Sequence, residues 1–546
     1  MPRFSVLTTV FDPPREALLE CLESVRNQTL TDFEHVLVND CSTQSWVRDV
    51  LDQAARADER VRVVHRHING GIVAASSDAL SMSTGELVAL LDHDDTLDPN
   101  ALTAMSITFD DPMVDLAYSD SDLIRPDGRL AMPFYKPDFS PERLRHQNYI
   151  THLTTARRSL VIDVGGFRTG FEGSQDHDLV LRLTERARKV AHVPRVLYHW
   201  RQSPASVASD SANKPYAYEN GRRAVQEQCD RLGIDATVEL GRFDGCYRVR
   251  RRIHGEPLVS VLVPTRGAIG TVWGCERSFV IDAVASIEQQ STYRNLEYVI
   301  VYDSDTPTKT LASLRRIAGD RLTLIPFTAS FNFSAKVNLA AAASSGTHLL
   351  MLNDDTELIE PDSIGVLLAH TQMPEVAMAG AKLLFADGTL QHAGHVYAGR
   401  VDHALIGWHG SHPGPYRMNV VERECSGVTA AAAMIRRDAF VEVGGFCESL
   451  AANFNDVDLS LKLRALGHRI VWSPFANWYH FESASRDPGT TEQERDVLLR
   501  RWHRQIESDP YFNPNLTPHR SDWLELPHRS GAPPYVDDDN GLRHWA

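Results

Sequence analysis

The chain has 546 residues, of which 42% are apolar and 23% charged, a composition typical of globular rather than fibrous or disordered proteins. Its net charge of −16 excludes the broad basic surface that nucleic-acid binding requires, so we expect no nucleic-acid partner. Seven cysteines without a Cys-x-x-Cys pair indicate a reducing compartment and exclude a disulfide scaffold or a structural zinc site.

The first element is a strand-like apolar run from Phe4 to Val10, which no signal-peptide pattern precedes. Nowhere does an apolar run reach the roughly 18 residues that a bilayer span requires. We therefore expect a cytoplasmic protein that works in solution or at the inner face of the plasma membrane, with at most peripheral membrane contact. The Arg-rich stretch at residues 248–252 is either a solvated linker or a contact for anionic lipid or pyrophosphate.

The same order of segments occurs twice along the chain. A strand-like run that ends in a turn lies at residues 4–12 and again at 258–266. Each is followed by a strand that ends in an acid, an acidic cluster, a Gly-Gly-Phe turn with two further acids, and a late histidine. The order never changes, so we predict one unit used twice rather than a solenoid of short repeats. The paired positions are Asp40 and Asp303, Asp94 and Asp355, Asp176 and Asp456, and His199 and His480.

Each half alternates strand-like runs with amphipathic helical stretches. This pattern predicts an α/β fold with two tandem domains, each built on a Rossmann-like, mostly parallel sheet. Ligands bind such sheets outside the carboxyl ends of the strands, where the paired acids fall. We predict a first domain over residues 1–205, a helical junction over 206–257, a second domain over 258–510 and a C-terminal tail over 511–546. A helix near residues 216–232 is expected within the junction.

The acidic cluster is Asp92–Asp95 in the first half and Asn353–Asp355 in the second. Oxygen ligands suit hard cations, so the cluster predicts a site for Mg²⁺ or Mn²⁺. A single copy could equally be a solvated turn, but its recurrence after an apolar strand favours the metal. We assign Asp94 and Asp355 as metal ligands, and Asp92 and Asp354 to the donor side of the site.

Two further acids follow each Gly-Gly-Phe turn and open an amphipathic helix. One of them could simply cap the helix, but capping requires only one acid. We therefore assign Asp176 and Asp456 as general bases, and Asp178 and Asp458 as capping or orienting residues.

A histidine follows a tyrosine at the last strand of each half. A lone histidine is usually structural, yet this one recurs beside the same neighbour. We interpret His199 and His480 as metal or phosphate ligands.

Taken together, these elements resemble family-2 glycosyltransferases of the GT-A fold, and the resemblance covers nearly the whole chain. Longer strings are similar to a tandem subgroup of O-antigen or rhamnan-type glycosyltransferases. These strings include FEGSQDHDL, DGTLQHAGHV and FNDVDLSLKLRALG. The fold class that the resemblance implies is two tandem GT-A nucleotide-sugar-binding domains.

The resemblance also implies a bifunctional, inverting, metal-dependent hexosyltransferase. Its donors would be UDP- or dTDP-sugars, and its acceptor a growing cell-surface polysaccharide or a polyprenyl-linked glycan. The metal would neutralise the diphosphate while the base takes the proton of the acceptor hydroxyl. The donor-binding positions that it implies are Thr9, Phe11, Asp40 and Asn69 in the first half, and Thr265, Arg266, Asp303 and Asn338 in the second.

One departure and two alternatives bear on this interpretation. Residues 69–77 lack an arginine that the family usually carries, which would weaken donor binding in the first domain. One domain could therefore catalyse while the other only binds carbohydrate or nucleotide. A nucleotidyltransferase that makes sugar nucleotides is disfavoured, because residues 8–16 contain no glycine and so no Gly-rich phosphate loop.

Overall fold

The computed structural model describes residues 1–202, 215–481 and 491–526, together with the backbone of two short strands, Val536–Asp537 and Arg543–His544. The start of the predicted junction and most of the predicted tail lie outside these residues. The described chain forms two compact units. Unit 1 comprises residues 1–249, 513–516 and 525–526, and unit 2 comprises residues 250–512 and 517–524.

The helix expected near residues 216–232 is present as Pro215–Arg231, and it belongs to unit 1. Within the Arg-rich stretch, Arg251 is buried and lies 3.3 Å from the Glu422 carboxylate in unit 2, so this residue is not part of a solvated basic strip. The predicted domain limits stay a prediction.

Eleven strands and eight helices lie among the described residues up to Arg251, and all but the end of the last strand belong to unit 1. The strands are β1 (Phe4–Val10), β2 (Phe33–Asn39), β3 (Val61–His65), β4 (Leu87–Leu90), β5 (Thr96–Leu97), β6 (Val114–Ile124), β7 (Leu130–Phe134), β8 (Thr154–Arg157), β9 (Lys189–Arg201), β10 (Ala236–Leu240) and β11 (Tyr247–Arg251). The helices are α1 (Arg15–Arg26), α2 (Ser45–Ala57), α3 (Gly71–Met82), α4 (Ala101–Thr108), α5 (Pro141–His146), α6 (Arg158–Asp163), α7 (Gln175–Arg186) and α8 (Pro215–Arg231).

The main sheet of unit 1 has the order β3-β2-β1-β4-β8-β6-β9-β5, with β7 beside β6. Strands β1 to β4 are parallel, while β8 runs antiparallel to both neighbours. Strand β1 is buried on both faces because helices cover both sides of the sheet. Phe4 and Val6 pack into one hydrophobic cluster, and Leu7 packs into the cluster on the other face. The predicted α/β class is confirmed.

Unit 2 repeats this architecture. Its strands are β12 (Val259–Thr265), β13 (Ile269–Val272), β14 (Cys275–Ser278), β15 (Leu296–Asp303), β16 (Leu322–Phe327), β17 (His348–Leu352), β18 (Thr356–Leu358), β19 (Val376–Leu384), β20 (Leu390–His392), β21 (His395–Tyr397), β22 (Val401–His403), β23 (Arg423–Glu424), β24 (Ala432–Arg436) and β25 (Arg469–His480). Its helices are α9 (Phe279–Gln290), α10 (Thr308–Ala318), α11 (Phe333–Ala343), α12 (Ser363–Thr371), α13 (Arg437–Glu442), α14 (Asn455–Ala465) and α15 (Glu492–Glu507), with 3₁₀ turns at Gly319–Arg321 and Pro415–Arg417.

The main sheet of unit 2 has the order β16-β15-β12-β17-β24-β19-β25-β18, which matches the sheet of unit 1 strand for strand. Each sheet places its first strand beside the strand that precedes the acidic cluster, in parallel. In both units the carboxyl ends of these strands therefore lie at one edge, where α/β sheets bind ligands. Within the part of the chain that the structure describes, no helix combines the length and apolar character that a bilayer span requires.

A matched polar network ties the first two strands of each sheet to the strand that leads to the acidic cluster. In unit 1 the Glu34 carboxylate accepts hydrogen bonds from the Ser5 hydroxyl at 2.6 Å and the Thr84 amide at 2.5 Å. The Ser5 oxygen in turn accepts from the Gly85 amide, and a Cβ at Gly85 would lie 2.6 Å from the Ser5 nitrogen. Unit 2 forms the same network with Ser260, Glu297, Ser345 and Gly346.

The network makes a prediction about pH. Burial alone would raise the pKa of Glu34, but hydrogen bonds from Ser5, Thr84 and Arg62 outweigh it and lower that pKa from 4.5 to about 2. Because the folded-state pKa is depressed, the stabilisation is complete above about pH 4.5 and is lost as the pH falls toward 2. We expect Glu34→Gln to reduce the free energy of unfolding at pH 7 by about 1–3 kcal/mol, and to reduce it less at pH 3.

Thermal unfolding at both pH values measures this change. The matched control is Glu59→Gln, since Glu59 is exposed. Equal destabilisation by Glu34→Gln at pH 7 and pH 3 would contradict the role of the ionised carboxylate.

A second network in unit 1 draws on the end of the chain. The Asp120 carboxylate is fully buried and accepts hydrogen bonds from the Asn513 side-chain amide at 2.9 and 3.1 Å. The Asn515 amide donates to the same carboxylate at 3.4 Å and to the Pro194 carbonyl at 2.8 Å. His192 lies 2.8 Å from it on the opposite strand. These described residues of the predicted tail are thus packed into the sheet of unit 1.

Candidate active site

Unit 2 contains a cavity of about 690 Å³ at the carboxyl ends of its parallel strands. It brings together seven of the eight positions that the sequence singled out in this half as donor, metal or base residues. These seven are Thr265, Arg266, Asp303, Asp354, Asp355, Asp456 and His480. Asn353 of the predicted acidic cluster lines it too, as do residues that the sequence did not assign to the site, among them Asp305, Lys336, Gln391, His395 and His403.

Asn338 is the predicted position that lies apart from the cavity lining. Its side-chain amide donates to the Phe446 carbonyl at 3.0 Å and accepts from the Phe446 nitrogen at 2.9 Å. Both ends of the amide therefore hold the Gly-Gly-Phe turn against α11. The prediction that Asn338 contacts the donor is corrected to a role in positioning this turn.

The acid after the second strand is paired with a buried cation. Lys336 is 1% exposed, and its Nζ lies 2.6 Å from the Asp303 carboxylate. The same ammonium donates to the Thr265 carbonyl at 3.3 Å. Asp303 and the end of β12 are therefore held together at the cavity wall by a side chain from α11.

The acidic pair Asp354 and Asp355 lies at the turn between β17 and β18. Burial and the neighbouring Asp355 carboxylate raise the pKa of Asp354 to about 7. The Thr265 hydroxyl donates to Asp354 at 2.6 Å, which fixes one of its oxygens. Two adjacent carboxylates that resist simultaneous ionisation form a place where a cation would be stabilised.

The tautomer of His480 tests whether a metal fits beside this pair. Its Nδ1 lies 2.6 Å from the Gln391 side-chain oxygen, which accepts only from an N–H. Nδ1 therefore carries the proton, and Nε2 lies 3.1 Å from the Asp355 oxygen and accepts from the Asn353 side-chain amide at 3.1 Å, a hydrogen bond that a bound cation would replace. Cis ligands of an octahedral Mg²⁺ lie about 3.0 Å apart, so this nitrogen and this oxygen suit one divalent cation.

The predicted base, Asp456, lies at the start of α14 and lines the same cavity. One of its oxygens accepts from the Val457 amide at 2.9 Å and the other from the Ala430 amide at 3.3 Å. Its neighbour Asp458 is fully buried and accepts from the Trp502 indole at 2.7 Å, and its assignment as a capping or orienting residue stays a prediction. The assignment of Asp456 as base stays a prediction.

Three histidines from the insert over β20 to β22 adjoin the cavity. His392 and His395 are buried, and burial lowers both pKa values, that of His395 to about 4. The Thr429 amide donates to His392 Nε2 at 3.2 Å, so the His392 proton is on Nδ1, which lies 2.7 Å from His403 Nδ1. Although the ligand atoms of the three rings lie within 4.8 Å of one another, a metal bound there would have to displace this imidazole–imidazole hydrogen bond.

In unit 1 the acid after the second strand accepts hydrogen bonds from backbone amides. The Asp40 carboxylate is 3% exposed and accepts from the Gly70 and Gly71 amides at 2.9 and 2.8 Å. Arg66 donates to it at 2.6 Å, and Asn69 donates to its carbonyl at 3.1 Å. Asp40 and Asn69 therefore lie together and hold the start of α3, and their assignment to donor binding stays a prediction.

The remaining predicted donor positions of unit 1 lie at and just beyond the end of β1. The Thr9 carbonyl oxygen is 3.0 Å from His93 Nδ1, which joins this strand to the acidic cluster. Phe11 is 44% exposed. An exposed aromatic ring at this strand end could stack on a planar base.

Strand pairing corrects the correspondence between the two acidic clusters. Thr96 pairs with His199 in unit 1, and Thr356 pairs with His480 in unit 2. The residue before each threonine is Asp95 and Asp355, so Asp95 rather than Asp94 is the counterpart of Asp355. The sequence comparison was wrong by one position. Leu87 and His348 pair with the first residues of β1 and β12, and Thr96 follows Leu87 by nine positions whereas Thr356 follows His348 by eight.

The cluster of unit 1 also brings together a different group of side chains that could hold a cation. Asp92, Asp95 and His152 place their ligand atoms within 4.8 Å of one another, a group that includes neither of the predicted ligands Asp94 and His199. Burial and the neighbouring Asp92 raise the pKa of Asp94. Asp95 is fully buried, and its oxygens accept from the Tyr198 hydroxyl and the Arg201 amide at 2.5 and 2.7 Å.

The late histidine and base of unit 1 keep polar partners. His199 Nδ1 lies 2.6 Å from the Asp122 carboxylate, where unit 2 has a glutamine. Asp176 accepts from the Asn148 side-chain amide at 3.0 Å. Its neighbour Asp178 is fully buried between Arg168 and Arg182, which matches its predicted orienting role.

Fold and site together define a class, an α/β protein with a pair of carboxylates, a histidine and a further aspartate around a cavity at the carboxyl ends of its strands. The family model described as Glycosyl transferase family 2 matches residues 5–171 and 260–444, which is more than half of the chain. The chain belongs to this family, with one match in each unit.

Relatives are similar along nearly the whole chain. It is 39% identical over 539 residues to protein y4gI of Sinorhizobium fredii, and 35% identical over 527 residues to the O-antigen biosynthesis protein RfbC of Myxococcus xanthus. These alignments cover 96% and 94% of this chain but 58% and 40% of the relatives, so the chain spans about half their length. The solved S. aureus TarS in complex with UDP-GlcNAc is 21% identical, with a TM-score of 0.35 over 41% of this chain and 66% of that one.

Proposed function

We propose that the chain is a bifunctional, inverting glycosyltransferase that uses UDP- or dTDP-sugars. Its acceptor is a growing cell-surface polysaccharide or a lipid-linked glycan, in keeping with the O-antigen biosynthesis protein among its relatives. The observation that carries the proposal is the cavity of unit 2. It is lined both by the predicted metal-site residues Asp354, Asp355 and His480 and by the predicted base Asp456. Family membership supports group transfer from a nucleotide sugar.

The donor is held by the end of β12 and the Lys336–Asp303 pair. Thr265 and Arg266 line the cavity at this strand end, and the Arg266 cation favours the diphosphate. Asp355 and His480 would hold Mg²⁺ or Mn²⁺, which when bound supplies positive charge to the leaving diphosphate. The Gln391 contact keeps the His480 proton on Nδ1, so that Nε2 would bind the cation in place of its hydrogen bond from Asn353.

Asp456 accepts the proton of the acceptor hydroxyl. The hydroxyl oxygen then forms a bond to the anomeric carbon as the bond from that carbon to the diphosphate oxygen breaks, which inverts the configuration. The amides of Ala430 and Val457 hold the carboxylate in place. No covalent intermediate with the chain is required.

A second candidate gives unit 1 a binding role only. It is favoured by Asp95, both of whose oxygens already accept hydrogen bonds, and by the arginine missing from residues 69–77. In that case unit 1 would hold a nucleotide or carbohydrate while unit 2 transfers the sugar.

The test is a screen of the purified full chain against UDP- and dTDP-sugars with Mn²⁺. Release of nucleoside diphosphate and the mass and anomeric configuration of the products are measured. Release that depends on acceptor, with an inverted product, supports the proposal. A retained configuration contradicts the mechanism, and the absence of turnover with every donor contradicts the function.

A further inference from the structure

A short hairpin follows the first strand of unit 2. Strands β13 and β14 pair Val272 with Cys275, which leaves Trp273 and Gly274 as a two-residue turn. Their φ angles are +52° and +76°, as a type I′ turn requires. Asn-Gly is the favoured pair in such turns, whereas a bulky residue at positive φ is strained. A tryptophan at this strained position points to a role other than folding.

The Trp273 ring is held in place and yet faces solvent. Its indole N–H donates to the Ala386 carbonyl at 2.8 Å. The ring packs nearly at right angles to Tyr479 and Phe481, with centroid distances of 5.1 and 5.3 Å, and the Arg277 guanidinium lies over it at 5.4 Å from its centroid. Even so, the residue is 52% exposed. Burial of the ring therefore does not account for the strain, and the fixed orientation offers a rigid aromatic surface.

The hairpin lies next to residues of the cavity wall, both along the chain and through its packing partner. It begins just after Thr265 and Arg266, which line the cavity. Phe481, against which Trp273 packs, is the residue directly after His480. Unit 1 lacks this element, since only residues 11–14 separate β1 from α1, whereas residues 266–278 separate β12 from α9.

We propose that Trp273 is a stacking subsite for a sugar ring of the acceptor glycan at unit 2, an inference that rests on the proposed glycosyltransferase function. A sugar ring presents an apolar C–H face that suits a fixed indole. An anionic membrane is the weaker match, because the neighbouring cation, Arg277, is already paired with Asp282 and Glu357 at 2.8 and 2.6 Å. Large apolar exposure on the hairpin is limited to Ile269 and Trp273.

The test compares Trp273→Asn, Trp273→Phe and the control Ile269→Ser in the full chain. The probes are an array of immobilised bacterial polysaccharide fragments, UDP with Mn²⁺, and vesicles of anionic phospholipid. We expect Trp273→Asn to weaken glycan binding about tenfold or more while UDP binding is unchanged. Because asparagine suits the turn, its thermal midpoint should be unchanged or higher by about 2–4 °C. Trp273→Phe should retain most glycan binding, as should Ile269→Ser.

Equal glycan binding by Trp273→Asn and the unmodified chain would overturn the proposal, and so would an unmodified chain that binds no saccharide on the array. A loss confined to vesicle binding would assign the ring to a membrane and also overturn it. Failure of the unmodified chain to bind UDP or any sugar nucleotide would count against the proposed function instead. Glycan binding tests the Trp273 contact, and UDP binding tests the proposed function, so the two failures can be told apart.

Discussion

Asp456→Asn is expected to lower sugar transfer at unit 2 by about two or more orders of magnitude, the usual effect of losing a general base. Asparagine has nearly the shape of aspartate but cannot accept the proton of the acceptor hydroxyl. Its side-chain oxygen can still accept one of the two amide hydrogen bonds that hold Asp456, so the fold should be retained. The rate and the products are measured by mass spectrometry with each donor that the unmodified chain uses.

Asp176→Asn in unit 1 is the matched variant. If both units are catalytic, each substitution removes one transfer and leaves the other. A mixture of the two variants should then restore the complete product. An Asp176→Asn chain that behaves like the unmodified chain on every donor and acceptor would make unit 1 a binding module. The same result for Asp456→Asn would exclude this residue as the base.

Loss of the bound metal is expected to lower sugar transfer nearly as strongly as loss of the base. Asp355→Asn should reduce Mn²⁺ affinity and metal-dependent transfer by about 100-fold or more, because even residues outside the direct ligand set often account for 10–100-fold. Excess chelator should abolish transfer in the unmodified chain, and Mg²⁺ or Mn²⁺ should restore it. Calorimetric titration of Mn²⁺ with UDP present, together with diphosphate release, measures both quantities.

Asp305→Asn is the control for this prediction, since it removes an exposed negative charge from the same cavity wall. It should leave metal affinity close to that of the unmodified chain. Full activity of the unmodified chain in excess chelator would contradict the metal site altogether. Equal loss in both variants would indicate general electrostatics rather than coordination.

The repeat in the sequence was enough to predict the fold and most of the site in unit 2. Apolar runs that end in acids mark strands whose carboxyl ends meet, so Asp303, Asp355 and Asp456 could be grouped without coordinates. The repeat failed where one unit departs from the other. His152 could not be found from the repeat, because the equivalent position in unit 2, as the strand pairing aligns the two units, is Ala431.

Two other errors have the same kind of physical cause. A one-residue difference in a turn is invisible in the pattern of acids, so Asp94 was matched with Asp355 in place of Asp95. Partners that are distant in sequence also decide how a polar side chain is used, as Phe446 does for Asn338. The exposed ring of Trp273 has no counterpart in unit 1, so the repeat could not point to it. The positive φ angle of Trp273, which indicates a role for the ring, is known only from the structure.

The packing of Asn513 and Asn515 around Asp120 has a consequence for the order of folding. On the ribosome, residues 1–249 are complete long before these two amides are synthesised, because the whole of residues 250–512 comes first. At roughly 5–20 residues per second, the interval is on the order of ten to fifty seconds. During that time the Asp120 carboxylate lacks its amide donors from the C-terminal segment. Unit 1, although translated first, can therefore reach its native state only after the chain of unit 2 has been made.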